Sequence, residues 1–274
     1  MRHLTKLISY AILILASAAS IYPIVQVIGI SLRPDDRLFS TSLAIIPERA
    51  TFHAYYAILF EKDFLLWLRN SSIVALFVTI LGVSLASTSG YAFSRFRFKG
   101  HSAGLFSFLV TQMFPATMLL LPLYVLMRQF HLLNSLLGLV VAYTVTALPF
   151  CVWTMKGYYD TIPRELEEAA LVDGSGEFGA FLRIILPVAA PGLAITALFS
   201  FMSAWSEYIV ARVILSDKGL FTLPLGLEGL SGTYQTEWAN YAAGSILVSL
   251  PVVAVFLFLA RFLVSGLTLG AVKE

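Results

Sequence analysis

Charged residues are scarce in this chain of 274 residues. Asp, Glu, Lys and Arg together make up 12% of it, whereas they make up about 25% of an average soluble domain. Hydrophobic residues account for 58%, and the mean hydropathy is +0.84. This composition excludes a disordered chain and indicates a protein that lies in a lipid bilayer.

Cysteine and clustered charge are also nearly absent. Cys151 is the only cysteine, so no intrachain disulfide can form and a disulfide-stapled secreted module is excluded. The formal net charge is +2, and the basic residues occur in separate short clusters that offer no face for nucleic acid. No nucleic-acid partner is therefore expected.

Motifs for catalysis or cofactor binding are missing too. The sequence contains no Gly-Lys dipeptide, so it lacks the phosphate-binding loop GxxxxGK[ST] and cannot bind ATP in that way. It contains no HExxH, and its four histidines are too widely scattered to suggest a metal site. We therefore expect no catalytic residue, metal or cofactor on this chain. An intramembrane hydrolase is an alternative, but the serines of the apolar stretches have no obvious His or Asp companions.

What the sequence has instead is a series of apolar stretches. A membrane-spanning helix needs about 20 mainly apolar residues, and six such stretches are separated by polar or Pro- and Gly-containing breaks. They do not alternate between apolar and polar residues, which disfavours a membrane β-barrel. The sequence predicts an all-α integral membrane protein with six transmembrane helices near 7–31, 69–93, 103–127, 133–155, 188–214 and 241–264.

The first stretch has two interpretations. Arg2 and Lys6 precede an apolar run that contains ASAAS at 16–20, a pattern that also occurs in cleaved signal peptides. The run continues without a break to Leu32. This length favours an uncleaved signal anchor.

The basic cluster RFRFK at 95–99 predicts the orientation of the chain. Because cytoplasmic loops carry an excess of Lys and Arg, we expect this loop in the cytoplasm and, with six helices, both termini there as well. The same orientation places the polar segments near 33–65 and 215–240 outside the cell and the segment near 156–187 inside.

Few ionisable residues fall within the predicted helices. Glu207 and Arg212 are among them, and they do not make a proton relay, which disfavours an ion-coupled secondary transporter. Arg212 can snorkel to the outer interface. The polar side chains of Gln112, Ser203 and Glu207 can line a watery translocation path or form hydrogen bonds between helices, and both interpretations stay open.

The cytoplasmic segment 156–187 predicts two short helices joined by a glycine turn. Thr161 is a candidate N-cap, and Gly174 suits the left-handed position that closes a helix. After the turn, an apolar stripe at helical spacing predicts a helix packed on the membrane bundle; it consists of Phe178, Phe181, Leu182 and Ile185. Such a pair is either a lever with one helix exposed for docking or an interfacial amphipathic hairpin without a partner.

Residues 168–187 decide between these alternatives. They follow the pattern EAA, three residues, G, nine residues, I, one residue, LP, with the fixed positions at Glu168, Ala169, Ala170, Gly174, Ile184, Leu186 and Pro187. This segment resembles the signature loop of the permease subunits of bacterial ABC sugar importers. The resemblance extends over nearly the whole chain and is strongest to the MalG type of maltose/maltodextrin permease; it includes ISLRPDD at 30–36, YAFSRFRFKG at 91–100, QMFPA at 112–116 and SGLTLGAVKE at 265–274.

The resemblance implies a type I ABC importer permease fold, as one membrane domain over 1–274 in the bacterial inner membrane. It implies as partners a second, MalF-like permease subunit, two cytoplasmic ABC ATPase subunits that bind ATP and Mg, an external sugar-binding protein and an oligosaccharide. One ATPase subunit is expected to receive the coupling loop. Its expected contact residues are Glu165, Glu168, Ala169, Ala170, Asp173 and Gly174.

The external loop before the last helix resembles a probe that enters the sugar cleft of the binding protein. Its expected contact residues are Ser231, Gly232, Thr233, Tyr234, Gln235 and Trp238. For Trp238, an aromatic anchor at the membrane interface is the alternative. The resemblance implies a maltose or maltodextrin substrate, with another sugar such as trehalose as the alternative. The tail departs from the family pattern at Glu274, where a glycine is expected.

Overall fold

The computed structural model describes residues 2–34, 46–47, 49–232 and 236–271; for residues 2–5, 116 and 263–271 it describes the backbone only. Over these residues the chain is helical apart from loops and one isolated antiparallel bridge between Ser231 and Thr236. The prediction of an all-α protein is confirmed.

The helices follow one another with short connections. Their bounds are α1 Arg2–Ser31, α2 His53–Tyr56, α3 Phe64–Arg95, α4 His101–Met113, α5 Leu120–Gln129, α6 Leu136–Asp160, α7 Glu165–Val172, α8 Glu177–Ala180, α9 Leu186–Val188, α10 Ala190–Trp205, α11 Ile209–Ile214, α12 Leu223–Glu228 and α13 Trp238–Ala271. A π-helical turn over Ala57–Glu61 extends α2, and a second over Phe181–Ile185 joins α8 to α9.

Four helices within the described residues are long and apolar enough to cross a bilayer. They contain the segments Lys6–Ser31, Phe64–Arg95, Leu136–Asp160 and Trp238–Phe262. Two bent pairs pass the same test of length and composition, which brings the number of candidate spans to six if each pair counts as one. Six apolar stretches were expected, but only four of them are single long helices.

The predicted span 103–127 is wrong as a continuous helix. α4 ends at Met113, Phe114 has an extended backbone, and the chain re-enters the helical conformation after Pro115, with a bend of 99° between the two helices. Proline has no N–H to donate, and its ring disfavours a helical conformation for the residue before it. The hydropathy of QMFPA does not register this break, because every residue but one is apolar.

The predicted span 188–214 is also interrupted. α10 begins at Ala190, forms a 77° bend with the helical segment Glu177–Val188, and ends at Trp205. Residues 206–208 are not helical, and α11 is a separate helix of six residues. The break coincides with three consecutive polar residues, SEY at 206–208.

The described residues pack as two compact units. The first comprises Met1–Leu66 with Leu225–Pro251. Within it, the hydroxyls of Ser31 and Tyr55 share a hydrogen bond of 2.8 Å, and a core forms around Ile58 and Ala243, both with no exposed area. α1 contributes little to this core, since none of the side chains of its apolar window is buried. The prediction of one membrane domain over 1–274 stays a prediction.

The second unit comprises Trp67–Pro224 with Val252–Glu274. Its core joins α3, α6 and the helical segment after α7; the buried members are Ala86, Ala147, Cys151, Val152, Met155, Tyr159, Ile162, Phe181, Ile185 and Ala189. α3 and α6 lie close together at Gly90, where a Cβ atom would lie 2.7 Å from the Cβ of Met155. A side chain at this position would therefore force the two helices apart.

Polar side chains at the start of α3 hold the segment 215–223 in the second unit. The amide nitrogen of Asn70 donates to the carbonyls of Gly219 and Phe221, each at 3.0 Å, and the Ser71 hydroxyl accepts from the Leu223 N–H at 2.8 Å. The buried polar groups of α3 thus pair with backbone that has no helical partner.

Candidate coupling surface and membrane cavity

The helix α7 and the turn after it lie where the sequence predicts a cytoplasmic coupling loop. Three carboxylates in its first turn, Glu165, Glu167 and Glu168, favour a helix start because they face the positive end of the helix dipole. Gly174 closes the helix with φ +83°, and the Ser175 N–H donates to the Ala170 carbonyl at 2.9 Å. The glycine turn is therefore placed as the sequence predicts.

Thr161 does not cap α7, so this detail of the sequence analysis is wrong. The Thr161 hydroxyl donates to the Tyr158 carbonyl at 2.7 Å and so belongs to the C-terminus of α6. α7 begins four residues later, with Arg164 at the N-cap and no side-chain cap. Pro163 separates the two helices and sets this later start.

The predicted coupling residues divide between an exposed surface and a buried base. Ala170 is 3% exposed and faces the core of the second unit. The others are exposed; they are Glu165, Glu168, Ala169, Asp173 and Gly174. Small and acidic side chains on a short, firmly closed helix present a surface that another protein can approach closely.

The helical segment after the turn packs on the bundle as its apolar stripe predicts, but only in part. Phe181 and Ile185 are buried in the core of the second unit. Phe178 is 71% exposed and Leu182 is 43% exposed. The π-helical turn at 181–185 changes the period from 3.6 residues, so the four stripe residues do not all face the same side.

Sequence reasoning missed Glu167, the residue that fixes α7 to the rest of the unit. Its carboxylate forms an ion pair of 2.5 Å with Arg95 at the end of α3 and accepts a hydrogen bond of 3.0 Å from the Tyr91 hydroxyl. The Arg95 and Glu167 side chains are only 6% and 16% exposed. In the sequence, Arg95 indicates only the orientation of the chain, and no local pattern distinguishes Glu167 from its acidic neighbours.

The described part of the loop before α13, which the sequence predicts to lie outside the cell, is closed at its base. Ser231 pairs with Thr236 across the loop, the Glu237 N–H donates to the Leu230 carbonyl at 3.2 Å, and Trp238 begins α13. Gly232 is exposed at the last described position before the tip. The predicted probe residues Thr233, Tyr234 and Gln235 lie outside the described residues, as does Glu274.

An ion pair supports this base within the first unit. Lys62 Nζ lies 2.9 Å from Glu237 Oε1, and the other carboxylate oxygen accepts from Asn240 at 2.6 Å. The hydrogen bond from Lys62 lowers the pKa of Glu237 below its usual value, while partial burial opposes the shift. The end of the loop that leads into α13 is therefore held in place.

Two of the three predicted path residues line one open cavity. Ser203 and Glu207 contribute to a space of about 550 Å³ that also includes Thr146, Phe199, Ser206 and Tyr208. Gln112 lines a neighbouring, more apolar cavity of about 390 Å³, which shares Thr146 with the first. The structure thus brings all three predicted residues to one region of the second unit.

Glu207 has a local role that the sequence did not indicate. Its two carboxylate oxygens accept hydrogen bonds from the Val210 N–H, at 2.9 and 3.1 Å, and one of them accepts from the Ala211 N–H at 3.1 Å. These N–H groups begin α11 and have no helical partner. The carboxylate therefore satisfies the helix end that the break at 206–208 leaves open, while it lies at the wall of the cavity.

Comparison with known proteins assigns most of the chain to one family. Residues 79–268 match the family of binding-protein-dependent transport system inner membrane components. The chain belongs to this family. The matching region contains α7, its buried base and the cavity.

Relatives are similar over almost their whole length. The maltodextrin transport system permease protein MdxG of Bacillus subtilis is 35% identical, covering 99% of this chain and 98% of its own. The galactooligosaccharides transport system permease protein GanQ of the same organism is also 35% identical, covering 99% and 97%. The maltose/maltodextrin permease MalG of Escherichia coli K12 is 37% identical, covering 97% and 95%.

The fold matches that of a solved importer. One chain of a bacterial ABC transporter involved in the import of the acidic polysaccharide alginate superposes with a TM-score of 0.82, covering 94% of this chain and 96% of that one at 21% identity. The prediction of a type I ABC importer permease fold is confirmed. This chain is a permease component rather than an enzyme, and it is a multi-pass membrane protein of an inner membrane family.

Proposed function

We propose that this chain is the permease subunit of an ATP-driven, binding-protein-dependent importer of oligosaccharides. The observation that carries the proposal is α7, a short helix with an exposed face on a base that is buried in the bundle. An interfacial hairpin would turn its apolar side chains to lipid, whereas Ala170, Phe181 and Ile185 are packed inside the protein. A partner that docks on α7 therefore moves the bundle with it.

The partners in this proposal are a second permease subunit, two cytoplasmic ATPase subunits and an external sugar-binding protein. ATP and Mg are bound by the ATPase subunits and not by this chain. Closure of the nucleotide-bound ATPase pair pushes α7 and changes the side from which the translocation path is open, as a rigid-body movement. This requires the cytoplasmic orientation of α7, and hence of both termini, that the basic cluster at 95–99 favours.

For the substrate we propose a neutral α-glucoside, maltose or maltodextrin. The relatives named above transport different sugars, so similarity supports the class of substrate more than the individual sugar. The lining of the cavity around Ser203 supports a sugar substrate, because it combines hydroxyls, a carboxylate and two aromatic rings. Among the described residues that line it there is no Lys or Arg, the side chains that bind a carboxylate-bearing sugar best.

The external loop is proposed to reach the sugar-binding protein. Its base is fixed by the bridge between Ser231 and Thr236 and by the Lys62–Glu237 ion pair, just before the start of α13. A tip that enters the sugar cleft competes with the bound sugar and promotes its release into the path. Ser231, Gly232 and Trp238 flank the tip on its two sides.

The test is ATP hydrolysis by proteoliposomes that contain this chain with its co-purifying partners and the cognate binding protein. Maltose, maltotriose, trehalose, a galactooligosaccharide and an alginate oligosaccharide are compared. We expect hydrolysis to rise with maltose or maltotriose and not with alginate. Stimulation by trehalose alone would show that the proposed substrate is wrong, while the proposed importer function would stand. Uptake that follows a proton or sodium gradient without an ATPase would replace the proposal with a secondary transporter.

A further inference from the structure

A largely buried cluster around Glu167 links α7 to the membrane helices. One carboxylate oxygen lies 2.5 Å from the Arg95 guanidinium, and the other accepts from the Tyr91 hydroxyl at 3.0 Å. Tyr91 and Arg95 are four residues apart, so they extend from the same face of α3. A single turn of α3 therefore holds a single carboxylate of α7 from two directions.

Arg95 also holds the connection that leads into α7. Its second guanidinium nitrogen donates to the Ile162 carbonyl at 2.9 Å, just before Pro163. The rings of Tyr91 and Phe181 lie 4.6 Å apart, which places the helical segment after the turn against the same face of α3. The end of α3 thus contacts the chain before, within and after α7.

Such an arrangement resists movement in a way that apolar packing does not. The hydrophobic effect has no preferred direction, whereas a largely buried carboxylate has to keep its donors or remain charged and unpaired. Displacement of α7 along α3 breaks the bonds from Tyr91 and Arg95 together. The cluster holds α7 in one position relative to α3.

We propose that Arg95 and Glu167 form the joint that transmits movement of α7 to α3, with Tyr91 as its third member. Glu167 is a positioning residue: its carboxylate is engaged by this chain, whereas the adjacent Glu168 is exposed toward a partner. Loss of the joint leaves α7 able to bind an ATPase but unable to pass the movement on. This inference rests on the proposed function, since it assumes that an ATPase docks on α7.

The first measurement does not depend on the ATPase. Amide hydrogen exchange of the peptide that contains α7 is compared in lipid nanodiscs for the wild type, Glu167→Gln and the control Glu177→Gln. Glu177 is an exposed carboxylate of the same loop. We expect faster exchange in α7 for Glu167→Gln only. Equal exchange in all three proteins would overturn the joint, whatever the protein transports.

The second measurement tests transmission in the assembled complex. Glu167→Gln should lower the ratio of sugar-stimulated to basal ATP hydrolysis about fivefold or more, while the ATPase still co-purifies. The double variant Arg95→Glu with Glu167→Arg should recover part of this ratio, because it restores an ion pair at the same place. An unchanged ratio in Glu167→Gln, or loss of the ATPase from the complex, would refute the transmission role.

The wild-type complex separates the two proposals. If it hydrolyses ATP in response to sugar, the variant results bear on the joint alone. If the wild type shows no such response while α7 is protected from exchange by Glu167, the proposed function is contradicted and the joint is a structural bond without a transmission role.

Discussion

At the scale of single residues, Gly174 sets the geometry of the coupling loop by its backbone alone. Its φ of +83° belongs to the left-handed region, yet no atom lies within 4 Å of the place where a Cβ would stand. A side chain there causes backbone strain of about 1–2 kcal/mol and no collision. The turn, and with it the direction of α7, depends on this glycine.

We therefore expect Gly174→Val to insert into the membrane normally and to abolish sugar-dependent ATP hydrolysis. Gly176→Val is a matched control, because Gly176 also has open space around it but an ordinary φ of −74°. Membrane fractionation measures insertion, and hydrolysis is measured in reconstituted vesicles. Full stimulated turnover in Gly174→Val would show that the turn does not matter for coupling.

A second residue-scale prediction concerns the pH dependence of the external loop. The pKa of Glu237 is lowered from 4.5 by the hydrogen bond from Lys62, so the bond's contribution to stability is complete above pH 4.5 and is lost as the pH falls through the lowered pKa. The purified protein should lose more thermal stability on acidification than Lys62→Met, which lacks the bond. Lys218→Met, a change of another outer lysine, should behave like the wild type. Identical acid sensitivity of wild type and Lys62→Met would contradict this assignment.

At the scale of elements, the Glu207 side chain stabilises the break between α10 and α11 by capping the start of α11. Both carboxylate oxygens are used by the N–H groups of Val210 and Ala211. A glutamine has one acceptor oxygen, and its NH₂ group would face an N–H donor. The break would then lose part of its hydrogen bonding.

Glu207→Gln should accordingly lower the free energy of unfolding by about 1–3 kcal/mol. Ser206→Ala, one residue earlier, should have a much smaller effect, since the Ser206 hydroxyl bonds only to the Met202 carbonyl of its own helix. Thermal unfolding in detergent measures both. Equal effects of the two changes would mean that Glu207 does not hold the break.

The elements also show what could be predicted from the sequence. Helices such as α3 and α6 follow from long apolar runs, and the turn at Gly174 follows from the conformational freedom of glycine. Hydropathy averages over a window, so it could not detect the bend at Pro115 or the break before α11. The Arg95–Glu167 pair joins residues 72 apart, and only the packing of α7 against α3 brings them together.

At the scale of the whole molecule, the proposed function gives separate tasks to the loop before α13 and to the loop at α7. Deletion of 231–236 should slow sugar transport more than it weakens docking of the binding protein, because it removes the tip and leaves the surrounding surface. A linker of six Gly and Ser residues in its place keeps the connection and distinguishes lost side chains from a strained backbone. Uptake rates and binding-protein affinity are measured in the same vesicles. Unchanged uptake in both variants would exclude the probe role.

The central claim is that the exposed face of α7 binds the ATPase, and cross-linking tests it most directly. The only native cysteine, Cys151, is fully buried, so a new thiol at Ala169→Cys can be addressed selectively. A short thiol-to-amine cross-linker should join this position to an ATPase subunit in the assembled complex, and should not do so from Ser107→Cys on α4. Absence of the product at Ala169→Cys, or an equal yield at both positions, would contradict the claim.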